Sequence, residues 1–269
     1  MNILITGGNG YIAGSLRRAL TLKEDYTIVS IARQDLDLSD SIAARAFFTD
    51  DKYFDVVIHA ASEGGSRLKN DDGNTLYRNL LMYDNLVDCR NNFGRLITFG
   101  SGAEFTMTKT PYGLGKRIIR DSLLTHDEFY NLRIFSVFDE NENDSRFIKS
   151  NIKRYLNRKP MLVHENKKMD FFYMKDLINL VCYYIEEKNP PKEIDCSYKE
   201  KHSLLEVANI INDSLSHKVD IICSPVDEFD YTGQYTQLIE YHGLHDGINR
   251  TLFQLHNQLR KKDLCYIIQ

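Results

Sequence analysis

The sequence predicts an α/β protein, a doubly wound parallel sheet followed by a smaller C-terminal substrate lobe. Three observations predict it. Short apolar runs alternate with amphipathic stretches through the first half of the chain. A glycine-rich turn joins the first run to the first stretch. Beyond residue 138 the alternation gives way to polar runs and prolines. Strands alternating with helices imply a parallel sheet covered on both faces, and right-handed crossovers then leave little topological choice.

The elements follow in order. Asn2–Thr6 reads as a strand and Tyr11–Leu22 as a helix. Tyr26–Ile31 is the second strand and Ser39–Phe48 the second helix. Val56–Ala60 is a short buried strand. Thr75–Asn91 is a long amphipathic helix with Leu76, Leu80, Tyr83, Leu86 and Val87 on one stripe. Leu96–Phe99 is a strand, Pro111–Leu124 a helix and Leu132–Val137 a strand. In the second half Pro160, Pro190, Pro191 and Pro225 punctuate the chain, and the polar runs 139–146 and 165–168 interrupt it. Asp176–Glu187 and Leu204–Leu215 still read as amphipathic helices. The expected division is 1–138, with 169–198 partly returning to it, and 139–269.

The chain has 269 residues, 34 basic and 38 acidic, for a net charge of −4. There is no basic field of the kind that draws a protein to nucleic acid. The apolar runs, such as 54–61 with Asp55 and His59 inside it, fall far short of the about 20 residues that cross a bilayer. The N-terminus is too short and uncharged in its apolar run for a signal peptide. Five scattered cysteines without a CxxC pair read as free thiols rather than a metal site or a disulfide framework. A soluble, cytoplasmic protein without nucleic-acid or membrane partners is expected.

The most informative local stretch is Ile3-Leu4-Ile5-Thr6-Gly7-Gly8-Asn9-Gly10-Tyr11-Ile12-Ala13-Gly14. A strand runs into a glycine turn that opens a helix. Gly7 permits the tight turn, and Gly10 lets the backbone approach a pyrophosphate. Ala13 or Gly14 lets helix pack closely on strand, and N–H groups at the helix start face the phosphates. This is the context a dinucleotide site needs; a tight βα turn without a ligand is the blander alternative. The second strand ends Ser30-Ile31-Ala32-Arg33, with no acid for a ribose 2′-hydroxyl. Arg33 suits the 2′-phosphate of NADP(H), so NADP(H) is preferred, with NAD as the alternative.

Pro111-Tyr112-Gly113-Leu114-Gly115-Lys116 opens a helix, with Thr110 as its N-cap and Pro111 at its first position. Tyr112 and Lys116 are four apart and share a face. A free phenol titrates near ~10, and a fixed ammonium lowers that value. Tyr112 then passes a proton to or from a substrate oxygen while hydride moves at a nicotinamide. Ser101, just past a strand, holds the same oxygen.

Taken together these motifs resemble the extended short-chain dehydrogenase/reductases, within the NAD-dependent epimerase/dehydratase family acting on nucleotide sugars. The resemblance runs through the glycine turn, Asp37-Leu38, Ile58-His59-Ala60-Ala61-Ser62, Asn79, Phe99-Gly100-Ser101, Tyr112 with Lys116, Leu132–Phe138 and Met169–Asp176, covering residues 1 to about 215. It implies a Rossmann-type sheet. It also implies cofactor contacts from Gly7, Asn9, Gly10, Tyr11, Ile12, Arg33, Asp37, Leu38, Ala60, Ala61, Ser62, Asn79, Tyr112, Lys116 and Phe135. The nucleotide-diphosphate sugar falls to Ser62, Glu104 and Ser136, with Met169 and Asp170 near cofactor or substrate. Arg146, Lys149, Asn151 and Arg154 offer polar partners for a diphosphate, or else form an ordinary polar helix face. The family often dimerises through the helices read here as 75–91 and 111–124, so a homodimer is expected; their apolar stripes would serve equally to pack on their own sheet. At single positions plainer roles stand alongside: Asp37 as a helix-entry residue, Asn79 on an exposed helix face, His59 as a core histidine, Asp176 as an N-cap.

Departures from the family narrow the activity. Sugar dehydratases carry an Asp-Glu pair directly after the serine; here Gly102 and Ala103 precede a single Glu104. Reductases of the GDP-fucose synthase type, which Ala60–Gly65 resembles, epimerise with a Cys two places after the serine and a later His. Ala103 and Leu156 stand at those positions. What survives is a Ser–Tyr–Lys redox core, suited to a 4-keto reductase of the GDP-fucose synthase or dTDP-4-dehydrorhamnose reductase type. A C4 epimerase with tightly bound NAD is the second reading, and a non-catalytic NADP-binding protein the third. Ser101 and Tyr112 are eleven positions apart, a shorter connection than the family usually has.

Overall fold

The computed structural model describes residues 1–49, 51–65, 71–224 and 229–267, with side chains as far as residue 260. Pro225 and the Cys265 side chain lie outside it. In chain order the elements are β1 (Asn2–Thr6), α1 (Tyr11–Leu20), β2 (Thr27–Ile31), α2 (Ser41–Phe47), β3 (Phe54–His59), α3 (Gly73–Asp88), β4 (Phe93–Ser101), α4 (Ala103–Thr106), α5 (Pro111–Leu123) and β5 (Phe129–Ile134). They continue with β6 (Val137–Phe138), α6 (Phe147–Leu156), β7 (Met161–Val163), β8 (Phe172–Tyr173), α7 (Met174–Glu186), β9 (Glu193–Cys196), α8 (Leu204–Asp213), β10 (Ile221–Cys223) and α9 (Gly243–Ile267).

The chain divides into two compact units, 1–134 with 178–195, and 135–177 with 196–269. The first holds a six-stranded sheet in the order β2-β1-β3-β4-β5-β9. Its pairs from β2 to β5 are parallel, as the alternation predicts. The order reverses at β1, where β2 lies on one side and β3 on the other, so the loops after β1 and β3 flank a crevice at the strands' C-terminal ends. Ligands of open α/β sheets bind there. Central strands are buried on both faces: Ile3, Leu4, Ile5, Val57, Ile58, Leu96 and Ile97 are each 3% exposed or less.

Helix starts follow local chemistry. Asp40 caps α2 by accepting from Ile42 N and Ala43 N. Asp72 and Thr75 form a reciprocal capping box on α3. Thr110 caps α5, with Pro111 in its first turn. Two expected boundaries are corrected. The strand read as 132–137 is two strands: β5 ends at Ile134, and Val137–Phe138 pairs with β8 instead. The strand read as 96–99 extends to Phe93–Ser101, so Ser101 closes β4 rather than following it.

The second unit is built on two small parallel pairs, β7 with β10 and β6 with β8. Its core gathers Ile148, Ile152 and Tyr155 of α6, Val207, Ala208 and Ile211 of α8, and Leu244, Ile248, Leu252 and Leu255 of α9. Asp176 is not an N-cap. It sits in the first turn of α7, fully buried, and accepts from His242 Nδ1 at 2.6 Å, from the His242 and Gly243 amides, and from the Tyr198 hydroxyl. No helix among the described residues is long and apolar enough to cross a membrane.

Candidate active site

The crevice beside β1 is a cleft of about 270 Å³, lined by the glycine turn (Thr6, Gly7, Asn9, Gly10), by Arg33, Asp37 and Leu38 after β2, and by Ala60, Ala61 and Ser62 after β3. Gly7 has φ +73°, and a Cβ there would lie 2.7 Å from the Ala61 nitrogen. The turn therefore approaches the β3 loop more closely than any side chain allows. Gly10 is the N-cap of α1 without a side-chain cap, and the first turn, Tyr11 and Ile12 included, carries no acid. The positive end of that helix remains available to an anion. A Gly-lined cradle, an uncapped helix start and cationic and carboxylate groups at the far end form a donor set that fits a nicotinamide dinucleotide.

At the far end Arg33 pairs with Asp37 (3.2 Å) and with Glu63 (2.8 Å). Asp37 also accepts from the Ser39 amide and hydroxyl, which hold its carboxyl below the usual range. Asn79 is buried rather than on an exposed helix face, and its amide clamps the Glu63 backbone, accepting from Glu63 N and donating to Glu63 O at 2.9 Å each. It lines a small pocket with Ala61 and Lys116.

Lys116 donates to Phe99 O at 2.7 Å, and its Nζ lies 5.7 Å from the centre of the Tyr112 ring. Burial pushes the ammonium down to about 8, opposed by the Glu104 carboxylate. The Tyr112 ring is covered by Gly65, where an added Cβ would come within 2.7 Å of it. Gly113 beside it lies so close to α4 that a Cβ would meet Met107 O at 2.1 Å and Ala103 O at 2.9 Å. This contact brings the start of α5 against the segment that leaves Ser101, despite the short connection. The Ser101 Oγ accepts from Ala103 N at 3.2 Å, and its own amide donates to Glu104 at 2.9 Å.

Glu104, expected at the substrate, is instead a buried structural charge. It is 0% exposed and accepts from Arg133 Nε at 2.8 Å. Arg133 in turn pairs with Glu193 at 2.7 Å and with Asp195 on β9. A carboxylate so engaged has no free face for a sugar. His59 is the core histidine of the plainer reading: Thr6 Oγ1 is 2.9 Å from its Nδ1, and burial, with Lys116 nearby, pushes it down to about 3.

The remaining expected residues belong to the second unit. Phe135 stacks edge-on with Tyr231 at 5.2 Å, and Ser136 accepts from Arg146 at 3.0 Å. Arg146 keeps an exposed guanidinium. Lys149 is spent on Glu142 O and Asp144, and Asn151 staples β7 by accepting from and donating to Leu162. Sequence reasoning missed Glu63 and Arg78 in the cleft wall. Their only signal was adjacency to Ser62 and Asn79.

Known proteins are similar to this chain in sequence and fold. The chain is 23% identical over 241 residues to CDP-abequose synthase of Yersinia pseudotuberculosis, covering 79% of this chain and 84% of that protein. It superposes on MlghC, the GDP-mannoheptose C4 reductase of Campylobacter jejuni with NADP bound, with TM-score 0.80 and 16% identity, over 94% and 98% of the two chains. The Thermus thermophilus UDP-glucose 4-epimerase in complex with NAD gives TM-score 0.74 and 17% identity over the same shares. The model of the NAD dependent epimerase/dehydratase family matches residues 3–196, from the first strand of the large sheet to its last, and the chain belongs to that family of NAD(P)-dependent enzymes.

Proposed function

We propose that the protein reduces a nucleotide-activated 4-keto-6-deoxy sugar with NADPH. The observation that carries this reading is the part-buried Lys116 ammonium beside Tyr112, with no acid–base pair for epimerisation at Ala103 or Leu156. A bound reduced nicotinamide supplies the hydride. Tyr112 gives its hydroxyl proton to the carbonyl oxygen, so ketone, hydride and proton balance as an alcohol. Lys116 stabilises the phenolate left behind, and the Ser101 hydroxyl donates to the same oxygen. Arg146, exposed on the second unit, is the cation offered to the diphosphate. Tyr77, Leu114 and Ile118 are exposed apolar side chains on α3 and α5; they support a homodimer through these helices.

The test is to mix the protein with NADPH and CDP-, GDP- or dTDP-4-keto-6-deoxyhexose and follow the reduced nicotinamide absorbance. A decline with one of these sugars is the expected result; a flat trace with every keto sugar overturns the reductase. Glu63 in the cleft wall favours a second reading, a C4 epimerase with NAD. That enzyme would purify with its cofactor and invert a sugar without net oxidation.

The rate has a predicted pH limit. Lys116 is charged below its value of about 8 and neutral above it. Its support for the phenolate is thus present at neutral pH and lost as the pH rises through that value. A kcat/KM profile should fall on the alkaline side of about 8; a profile level through that region removes Lys116 from proton transfer.

A further inference from the structure

At the end of the cleft where Arg33 lies, the described residues bring two partners to it that the sequence did not assign, Glu63 and Arg78. Arg33, from the turn after β2, and Arg78, from α3, meet on one oxygen: Arg33 Nη1 is 2.8 Å and Arg78 Nη1 3.4 Å from Glu63 Oε1. All three line the same cleft as Gly7 and Gly10. The two arginine side chains stay accessible, at 57% and 38% exposure. The Glu63 backbone is anchored by Asn79 on both its N–H and its C=O. Its side chain is a third exposed. An exposed carboxylate on a fixed backbone holds two arginines through weak, exchangeable pairs. A phosphate brings more charge and three acceptor oxygens, and takes guanidiniums bidentately. It is the better occupant of the point where the two arginines converge.

We propose that Arg33, Arg78 and Glu63 form a cofactor-selecting clamp. The two guanidiniums take the 2′-phosphate of an NADP-type dinucleotide, and Glu63 keeps them converged until the phosphate displaces it. A ribose with a bare hydroxyl lacks the charge to displace Glu63 and leaves the clamp shut. The inference rests on the dinucleotide reading of the cleft and assigns its specificity to a helix residue outside the glycine turn. Asp37 shares Arg33 from the other side, whereas among the described residues Arg78 pairs with Glu63 alone of the carboxylates.

The experiment titrates the protein into NADPH and into NADH and reads nicotinamide fluorescence, with no sugar present. Wild type should bind NADPH more tightly. Arg78→Gln should weaken NADPH about tenfold, the loss of a charge-assisted pair to phosphate, and leave NADH within about twofold; Arg78→Lys should recover part of the loss, since charge remains but the fork does not. Glu63→Ala should tighten NADPH and not NADH. Competition by 2′,5′-ADP but not by 5′-ADP should follow the same pattern. Equal weakening of both dinucleotides by Arg78→Gln, or weakening of neither, overturns the clamp. So does a wild-type preference for NADH that Glu63→Ala abolishes, which makes Glu63 a ribose-hydroxyl acceptor while the dinucleotide site stands. Binding of neither dinucleotide to wild type removes the dinucleotide reading and the clamp together.

Discussion

Replacing Tyr112 with Phe will cut turnover about 10²–10⁴-fold, the usual weight of a positioned proton donor, while NADPH binds as before. The substitution removes one oxygen and little else. The ring keeps its place against Gly65, whose lack of a Cβ makes room for it. Lys116 keeps its bond to Phe99 O, because that contact does not involve the phenol. The Pro111 and Thr110 signals that start α5 are untouched. The glycine cradle and the Arg33 end of the cleft lie on other loops. The loss should therefore appear in kcat, with the fluorescence titration by NADPH unchanged. Lys116→Met should lower turnover as well and remove the fall near pH 8 from the profile, because the ammonium that titrates there is gone. Turnover within a few-fold of wild type for Tyr112→Phe would take Tyr112 out of the chemistry. Weakened NADPH binding would make its role one of cofactor contact.

What could be read from sequence followed the range of the forces involved. The glycine turn, the caps at Thr110 and Pro111 and the Tyr112–Lys116 spacing are local constraints, satisfied within a few residues. The alternation of strand and helix predicted the parallel sheet because each element must bury its own apolar face. The misses are long-range. Glu104 looked like a site residue because nothing near it in sequence shows that Arg133, on the next strand, will bury it. Asn79 looked like a polar residue on an exposed helix face, and it is buried against the backbone of a loop sixteen residues away. The convergence of Arg33, Glu63 and Arg78 needs three elements to be placed before it exists. The long α9 was missed for another reason. Its stripe of Leu244, Ile248, Leu252 and Leu255 has helical spacing, but it runs through a stretch rich in His, Asn and Arg that reads as polar loop.

Replacing Arg133 with Leu will lower the unfolding free energy by about 3–5 kcal/mol, the cost of removing one partner from a buried ion pair. The guanidinium is 5% exposed and Glu104 is 0% exposed. Arg133 also holds Glu193 at 2.7 Å, and it pairs with Asp195 on β9. Arg120 keeps a second hold on Glu193 at 2.7 Å, and Asp195 retains part of its access to water. Glu104 has no second guanidinium among the described residues; it keeps the Ser101 and Asn131 amides and the field of the Lys116 ammonium. The stranded charge thus falls on the carboxylate that holds the backbone of Ser101. Urea titration should show the deficit, because a buried carboxylate that loses its guanidinium keeps a charge it cannot solvate. Changing Glu104 to Gln in the same chain should recover stability for the same reason. An Arg133→Leu protein as stable as wild type would mean that water reaches Glu104, and that the charge beneath Ser101 is solvated rather than held by the sheet.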